Sequence, residues 1–220
     1  MLAWLASYPR SGNTLVRTIL NQCLDIGTRS MHGDGDNRIF NTSELQRIVG
    51  HQSSDVPDMA QLAAARQTRA WTVVKTHEMP PTDDKSIYIV RNGISSMASY
   101  YHFLKDFEHV ELDIRSIIRG DVYAGSWSDH VRQIGSRPGT LLLRYENIAA
   151  DPNAAARQIA GHLGVEQKRD FLLTFTDMHK AQPNFFRRGD DRANVKEMLP
   201  YMDLIEEYHG ETLRQFGYRD

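Results

Sequence analysis

Arg10, Ser11, Gly12, Asn13 and Thr14 follow one another in the stretch LASYPRSGNTLVRTIL (residues 5–20), between a short apolar run and a segment with helical spacing. The small residues leave their backbone N–H groups open, Ser11 and Thr14 add hydroxyls, and Arg10 adds a permanent forked charge. At a turn from strand to helix, loop N–H groups and the positive end of the helix dipole converge, and the product is an anion site. The stretch is not a Walker A loop, because no second glycine is followed by Lys and Ser or Thr. Taken alone, it also fits a plain strand-to-helix turn with an exposed arginine.

Three further segments carry the same kind of chemistry. VVKTH (73–77) ends on Lys75 and His77, a cation beside an imidazole whose ordinary pKa of about 6.5 makes it a competent base near neutral pH. IVRNGISSMASYYHF (89–103) sets Arg91 at the end of an apolar run and Ser99 eight residues later. FFRRGDDR (185–192) gathers Arg187, Arg188 and Arg192 around Gly189, behind Phe185 and Phe186. Each alone has a plain structural reading: a solvated lysine, a half-buried histidine, a helix-end arginine, a charged surface turn.

The elements that must position these groups follow from the apolar pattern. LAWLAS (2–7), WTVVKTH (71–77), SIYIVRN (86–92) and TLLLRYE (140–146) read as four buried strands. Helices are expected from Asn13, with Val16, Ile19, Leu20, Cys23 and Leu24 on one face, from Ser43, over about 58–68, and through Ile94, Met97, Ala98, Tyr101 and Leu104. A further helix runs from Asp151-Pro152 to Leu163 and stops at Gly164. Residues 28–41 read as a loop. Strands alternating with helices imply an α/β fold, with a central parallel β-sheet flanked by helices on both faces and ligands beyond the carboxyl ends of the strands. No linker or repeat interrupts the pattern, so residues 1–220 are expected to form a single domain.

Composition narrows the partners. The chain has 220 residues, 25% charged and 40% hydrophobic, with a net charge of −2, which gives no general reason to expect nucleic acid or an anionic membrane. No run reaches the 18 or so apolar residues of a membrane span. One cysteine, Cys23, excludes an internal disulfide, so a reducing, cytoplasmic setting without a signal peptide is expected. HGDGDN (32–37) fits no EF-hand spacing, and no metal is expected there.

In order along the chain, these segments resemble the PAPS-dependent sulfotransferases. SYPRSGNT is similar to the family's 5′-phosphosulfate loop, usually Tyr-Pro-Lys-Ser-Gly-Thr-Thr-Trp, and VVKTH to its Lys-Thr-His segment, whose histidine is the catalytic base. YIVRNGISSMASYYHF resembles its 3′-phosphate segment. GSWSDHV (125–131), LLLRYENIAADP (141–152) and FFRRG match later segments in register. The resemblance implies the P-loop-like sulfotransferase architecture, PAPS as donor, PAP as product and no metal.

Carried over residue by residue, the resemblance makes His77 the base, with Arg10 and Lys75 as the other catalytic groups. Arg10, Ser11, Gly12, Asn13 and Thr14 would hold the phosphosulfate. Arg91, Ser99, Arg187, Arg188 and Gly189 would hold the 3′-phosphate, and Tyr145 and Phe185 would supply donor-site rings. Arg10 stands where the family usually has lysine, and Leu15 where it often has an adenine-stacking tryptophan. The implied acceptor is a hydroxyl on a small molecule or glycoconjugate, with contacts expected from about 28–70 and 105–125. Two other readings stay open: a non-catalytic PAPS- or PAP-binding module, and another P-loop-type nucleotide enzyme such as a kinase. Against the kinase, IYIVRN ends its strand in arginine where a Walker B strand carries aspartate.

Overall fold

The computed structural model describes residues 1–32, 43–52, 55–173 and 191–219. Five parallel strands form one sheet, β1 (Leu2–Ser7), β2 (Thr28–Ser30), β3 (Thr72–Thr76), β4 (Lys85–Val90) and β5 (Thr140–Arg144), in the order β2-β3-β1-β4-β5. Around them lie α1 (Asn13–Leu24), α2 (Ser43–Val49), α3 (Met59–Gln67), α4 (Gly93–His102), α5 (Ile114–Arg119), α6 (Trp127–Gly135), α7 (Tyr145–Ala150), α8 (Pro152–Leu163), α9 (Asp191–Met198) and α10 (Met202–Gln215). Every residue of β1 is buried, as a central strand covered on both faces requires.

Side chains along β1 alternate between two cores. Ala3 and Leu5 face α1 and α8, packing with Val16, Ile19, Leu20, Ile159 and Leu163. Ala6 faces the other side with Tyr8, where α4, α5, α6 and α10 supply Met97, Ile117, Trp127, Val131 and Leu213. Leu2 and Trp4 pack with Leu62 of α3 and Val74 of β3, and the Trp4 indole Nε1 donates to Thr82 Oγ1 at 2.9 Å.

Four of the five strands lie where the sequence pattern puts them. β2 does not appear in that pattern, because Thr28-Arg29-Ser30 is short and polar. It forms because β3 offers an open edge, pairing Thr28 with Val73 and Ser30 with Lys75, while the Thr28 N–H donates to Gly50 O at 2.8 Å. The expected strand 140–146 is also shortened. Tyr145 and Glu146 open α7 instead, which turns the Tyr145 ring from a strand face toward the carboxyl edge of the sheet. α8 starts as expected, with the Asp151 carboxylate accepting from the Ala154 N–H and Gly164 ending it at φ 70°. Among the described residues, no helix is long and apolar enough to cross a membrane.

Candidate active site

β1 sits between β3 and β4, so its carboxyl end meets theirs. Connections leave β1 on one side and β4 on the other, which makes this edge the crevice of the sheet. The loop after β1 turns tightly, with Arg10 at φ 65° and Gly12 at φ 100°. A Cβ on Gly12 would stand 2.3 Å from Tyr145 Cδ2, so the loop backbone passes directly under that ring. Helices α3, α4, α5, α6 and α8 each begin on an Asp, Asn or Ser whose side chain accepts from the first turn. By contrast, α1 begins on Gly12 with no side-chain cap, which leaves its first-turn N–H groups facing the loop.

The loop side chains brace the turn from behind. Ser11 is buried and its hydroxyl lies 3.4 Å from Ser96 Oγ on α4; the Asn13 Nδ2 donates to Ser7 Oγ at 3.2 Å. Thr14 is half-buried, and its carbonyl accepts from Thr18 Oγ1. The Arg10 Nε donates to Ser99 Oγ at 3.3 Å, and its guanidinium lies 5.3 Å over the Phe103 ring. The sequence reading gives Arg10 and Ser99 to opposite ends of a nucleotide; in the fold they touch. Arg91 closes the group: its guanidinium donates to the Arg10 carbonyl at 2.8 Å and stacks 4.5 Å from the Tyr145 ring centre. Leu15 is partly buried and packs at the rim of the core around α1.

His77 follows β3 directly. Its Nδ1 lies 2.7 Å from the Ser7 carbonyl oxygen, an acceptor only, so Nδ1 carries the proton and Nε2 keeps its lone pair. Burial, then the charge of Lys75, hold the imidazole well below the ordinary histidine range, with smaller contributions of the same sign from His32 and His130. The ring is therefore neutral at pH 7. Lys75, two residues back on the same strand face, is half-buried and pairs in register with Leu5.

Sequence reasoning left out His32 and His130. The His77 N–H donates to His32 Nε2 at 2.8 Å, and the His32 ring stacks on His77 with centroids 5.1 Å apart. His130 lies 3.0 Å from the His77 carbonyl through Nε2, while Tyr88 lies 2.8 Å from its Nδ1. His130 belongs to GSWSDHV, and its place on α6 between the buried Trp127 and Val131 was the available signal. His32 and Tyr123, whose hydroxyl lies 3.3 Å from His32 Nδ1, fall in the two stretches expected to meet an acceptor. Phe185, Arg187, Arg188 and Gly189 lie outside the described residues, as does HGDGDN beyond His32.

The sulfotransferase domain model matches residues 2–203. The chain belongs to the sulfotransferase domain family. Human sulfotransferase 1C2 is 27% identical over 206 residues, covering 82% of this chain and 65% of that protein. Flavonol 3-sulfotransferase of Flaveria bidentis is 25% identical over 183 residues, covering 73% and 56%. The chain thus spans somewhat less than two thirds of the length of these relatives. The structure of mouse sulfotransferase SULT7A1 complexed with PAP has the same fold, with a TM-score of 0.64 at 18% identity, covering 98% of this chain and 88% of that one. Retinol dehydratase in a complex with retinol and PAP gives 0.64 at 18% identity, covering 96% and 81%.

Proposed function

We propose that this sulfotransferase-family chain moves the sulfuryl group of PAPS to an acceptor hydroxyl and releases PAP, as a single domain over residues 1–220. The observation that carries the reading is the His77 to Ser7 hydrogen bond. It puts the ring proton on Nδ1 and leaves Nε2 as the basic nitrogen, beside the strand that leads into the Arg10–Thr14 loop. A site that only bound a nucleotide would gain nothing from a base there.

The roles follow from the geometry and the resemblance together. The N–H groups at the start of α1, with Ser11, Gly12, Asn13 and Thr14, hold the phosphosulfate. Arg91 and Ser99 hold the 3′-phosphate, together with Arg187, Arg188 and Gly189. Tyr145 and Phe185 flank the adenosine. That a protein of this fold is complexed with PAP supports the donor assignment.

In the transfer, the acceptor oxygen bonds to sulfur as the bridging sulfur–oxygen bond breaks, and the bonding pair leaves on the phosphate of PAP. The acceptor proton passes to His77 Nε2. Lys75 and Arg10 stabilise charge on the transferring and leaving oxygens, with Arg10 exchanging its Ser99 hydroxyl for charge-assisted bonds. The donor's negative charge offsets that of Lys75 and eases proton uptake by His77. No step calls for a metal. The acceptor is a hydroxyl-bearing small molecule or glycoconjugate, and the single buried Cys23 suits a reducing, cytoplasmic setting.

The test is transfer of labelled sulfuryl from PAPS to 2-naphthol and to a panel of sugars and alcohols. His77→Ala should lower transfer by about 100-fold or more while PAP affinity stays within about twofold. Equal turnover by the variant would remove His77 as the base.

A further inference from the structure

Both backbone hydrogen-bonding groups of His77 are held by other histidines. Its N–H donates to His32 Nε2 at 2.8 Å, and its carbonyl accepts from His130 Nε2 at 3.0 Å. These contacts settle where the protons sit. His32 accepts at Nε2, so its own proton is on Nδ1, aimed at the Tyr123 oxygen 3.3 Å away. Burial, then the neighbouring Glu78, push the Tyr123 hydroxyl up from the ordinary tyrosine range. His130 donates from Nε2, so its Nδ1 accepts from Tyr88.

The two clamps respond differently to acid. A proton added to His130 goes on Nδ1, where the Tyr88 hydroxyl can rotate to accept it, and the bond to His77 survives. On His32 the added proton goes on Nε2 and faces the His77 N–H, donor against donor. The stacked rings would also place the new charge beside the imidazole that must take the acceptor's proton.

We propose that His32 is a positioning residue for His77, and that only its neutral ring keeps the end of β3 in the geometry that presents Nε2 to an acceptor. The groups around His32 set how readily it charges. His77, stacked on His32, and Lys75, whose charge reaches the His77 ring, oppose a second positive charge. Glu78, whose charge acts on Tyr123 beside His32, favours one, and Ser30 Oγ accepts from the His32 N–H without titrating. In the unliganded protein His77 itself holds off a proton until well below the ordinary histidine range, so a shift of its amide at milder pH reports a neighbouring group.

The kinetic consequence rests on the sulfotransferase reading, whereas the structural one does not, and the test separates them. In the unliganded wild-type protein, long-range proton–nitrogen correlation spectra should show His32 and His77 as Nδ1–H tautomers. Acidification should move the His77 amide proton in step with protonation of His32. In His32→Gln, whose side-chain oxygen can accept in place of Nε2, the His77 amide should not move over that range. For PAPS transfer to 2-naphthol, His32→Ala should lower kcat about 10-fold with PAP affinity within about twofold. His32→Gln should recover kcat to within about threefold at mildly alkaline pH and lack the wild-type acid limb. An unchanged acid limb in His32→Gln, or a His77 amide that moves independently of His32, overturns the proposal. Coupled spectra in a wild type that transfers no sulfuryl would uphold the clamp and reject the functional reading.

Discussion

The Ser7 carbonyl oxygen and the His77 Nδ1 lie 2.7 Å apart, so the last residue of β1 and the first residue after β3 share a hydrogen bond at the carboxyl edge of the sheet. The register makes this contact unavoidable: Leu5 pairs with Lys75 and Ala6 with Thr76, which sets Ser7 beside His77. The strand that leads into the Arg10–Thr14 loop therefore also orients the His77 ring.

Lys75 and His77 share a strand face, and the Lys75 charge helps to keep the imidazole neutral. In Lys75→Gln the His77 pKa should rise toward the ordinary histidine value of about 6.5, read from its ring carbon protons in an NMR titration. Turnover should fall at the same time, because charge stabilisation is lost at the transferring group. An unchanged His77 titration would show that burial and the neighbouring histidines set it without Lys75.

Gly12 combines a φ of 100° with 2.3 Å between an added Cβ and Tyr145 Cδ2. Gly12→Ala should cost about 2 kcal/mol of stability and push the Tyr145 ring aside, with PAP binding weakened more than 10-fold. Chemical denaturation and calorimetric titration measure the two effects separately.

Arg91 donates to the Arg10 carbonyl and stacks on Tyr145, so it stands at the junction of loop and ring. Arg91→Ala should reduce PAP affinity by about 10- to 100-fold while AMP affinity falls far less, because a charged hydrogen bond to the 3′-phosphate exists only with PAP. Equal losses for both nucleotides would make Arg91 a brace for the loop and not a phosphate ligand.

His130 is buried, and burial lowers its pKa to about 4. A histidine with a lowered folded-state pKa contributes stability that is fully present above its unfolded pKa of about 6.5 and is lost as pH falls toward 4. The contribution is about 3 kcal/mol. His77, His162 and His209 are shifted the same way, so the melting temperature should drop between about pH 7 and pH 4.5. His130→Gln, which keeps a donor for the His77 carbonyl, should melt lower at pH 7 with a shallower pH dependence.

Much of this could be read from the chain, because the candidate site residues stand at strand ends that apolar patterning locates. β1 is buried throughout, β3 and β4 are buried over most of their length, and α1 shows its face through Val16, Ile19, Leu20 and Cys23. What escaped the pattern depends on partners far away in sequence. β2 is polar and exists because β3 has an open edge. Arg17, a cation on the otherwise apolar face of α1, is 1% exposed because its Nε donates to Thr28 Oγ1 at 2.7 Å and its guanidinium lies 2.8 Å from His51 Nδ1. The contacts of His32 and His130 with His77 span 45 and 53 positions, and no local spacing encodes them.

The proposed donor site gives PAP, through its 3′-phosphate, an anion contact that AMP lacks. Thermal unfolding with PAP, with AMP and with ATP plus magnesium at equal concentration tests it most directly. At about 100 times its dissociation constant, PAP should add about 2.7 kcal/mol and raise the melting temperature by ~5–10 °C, with AMP and ATP far behind. No shift with PAP, or a larger one with ATP and magnesium, would contradict the assignment of Arg10, Arg91 and Ser99 to the donor.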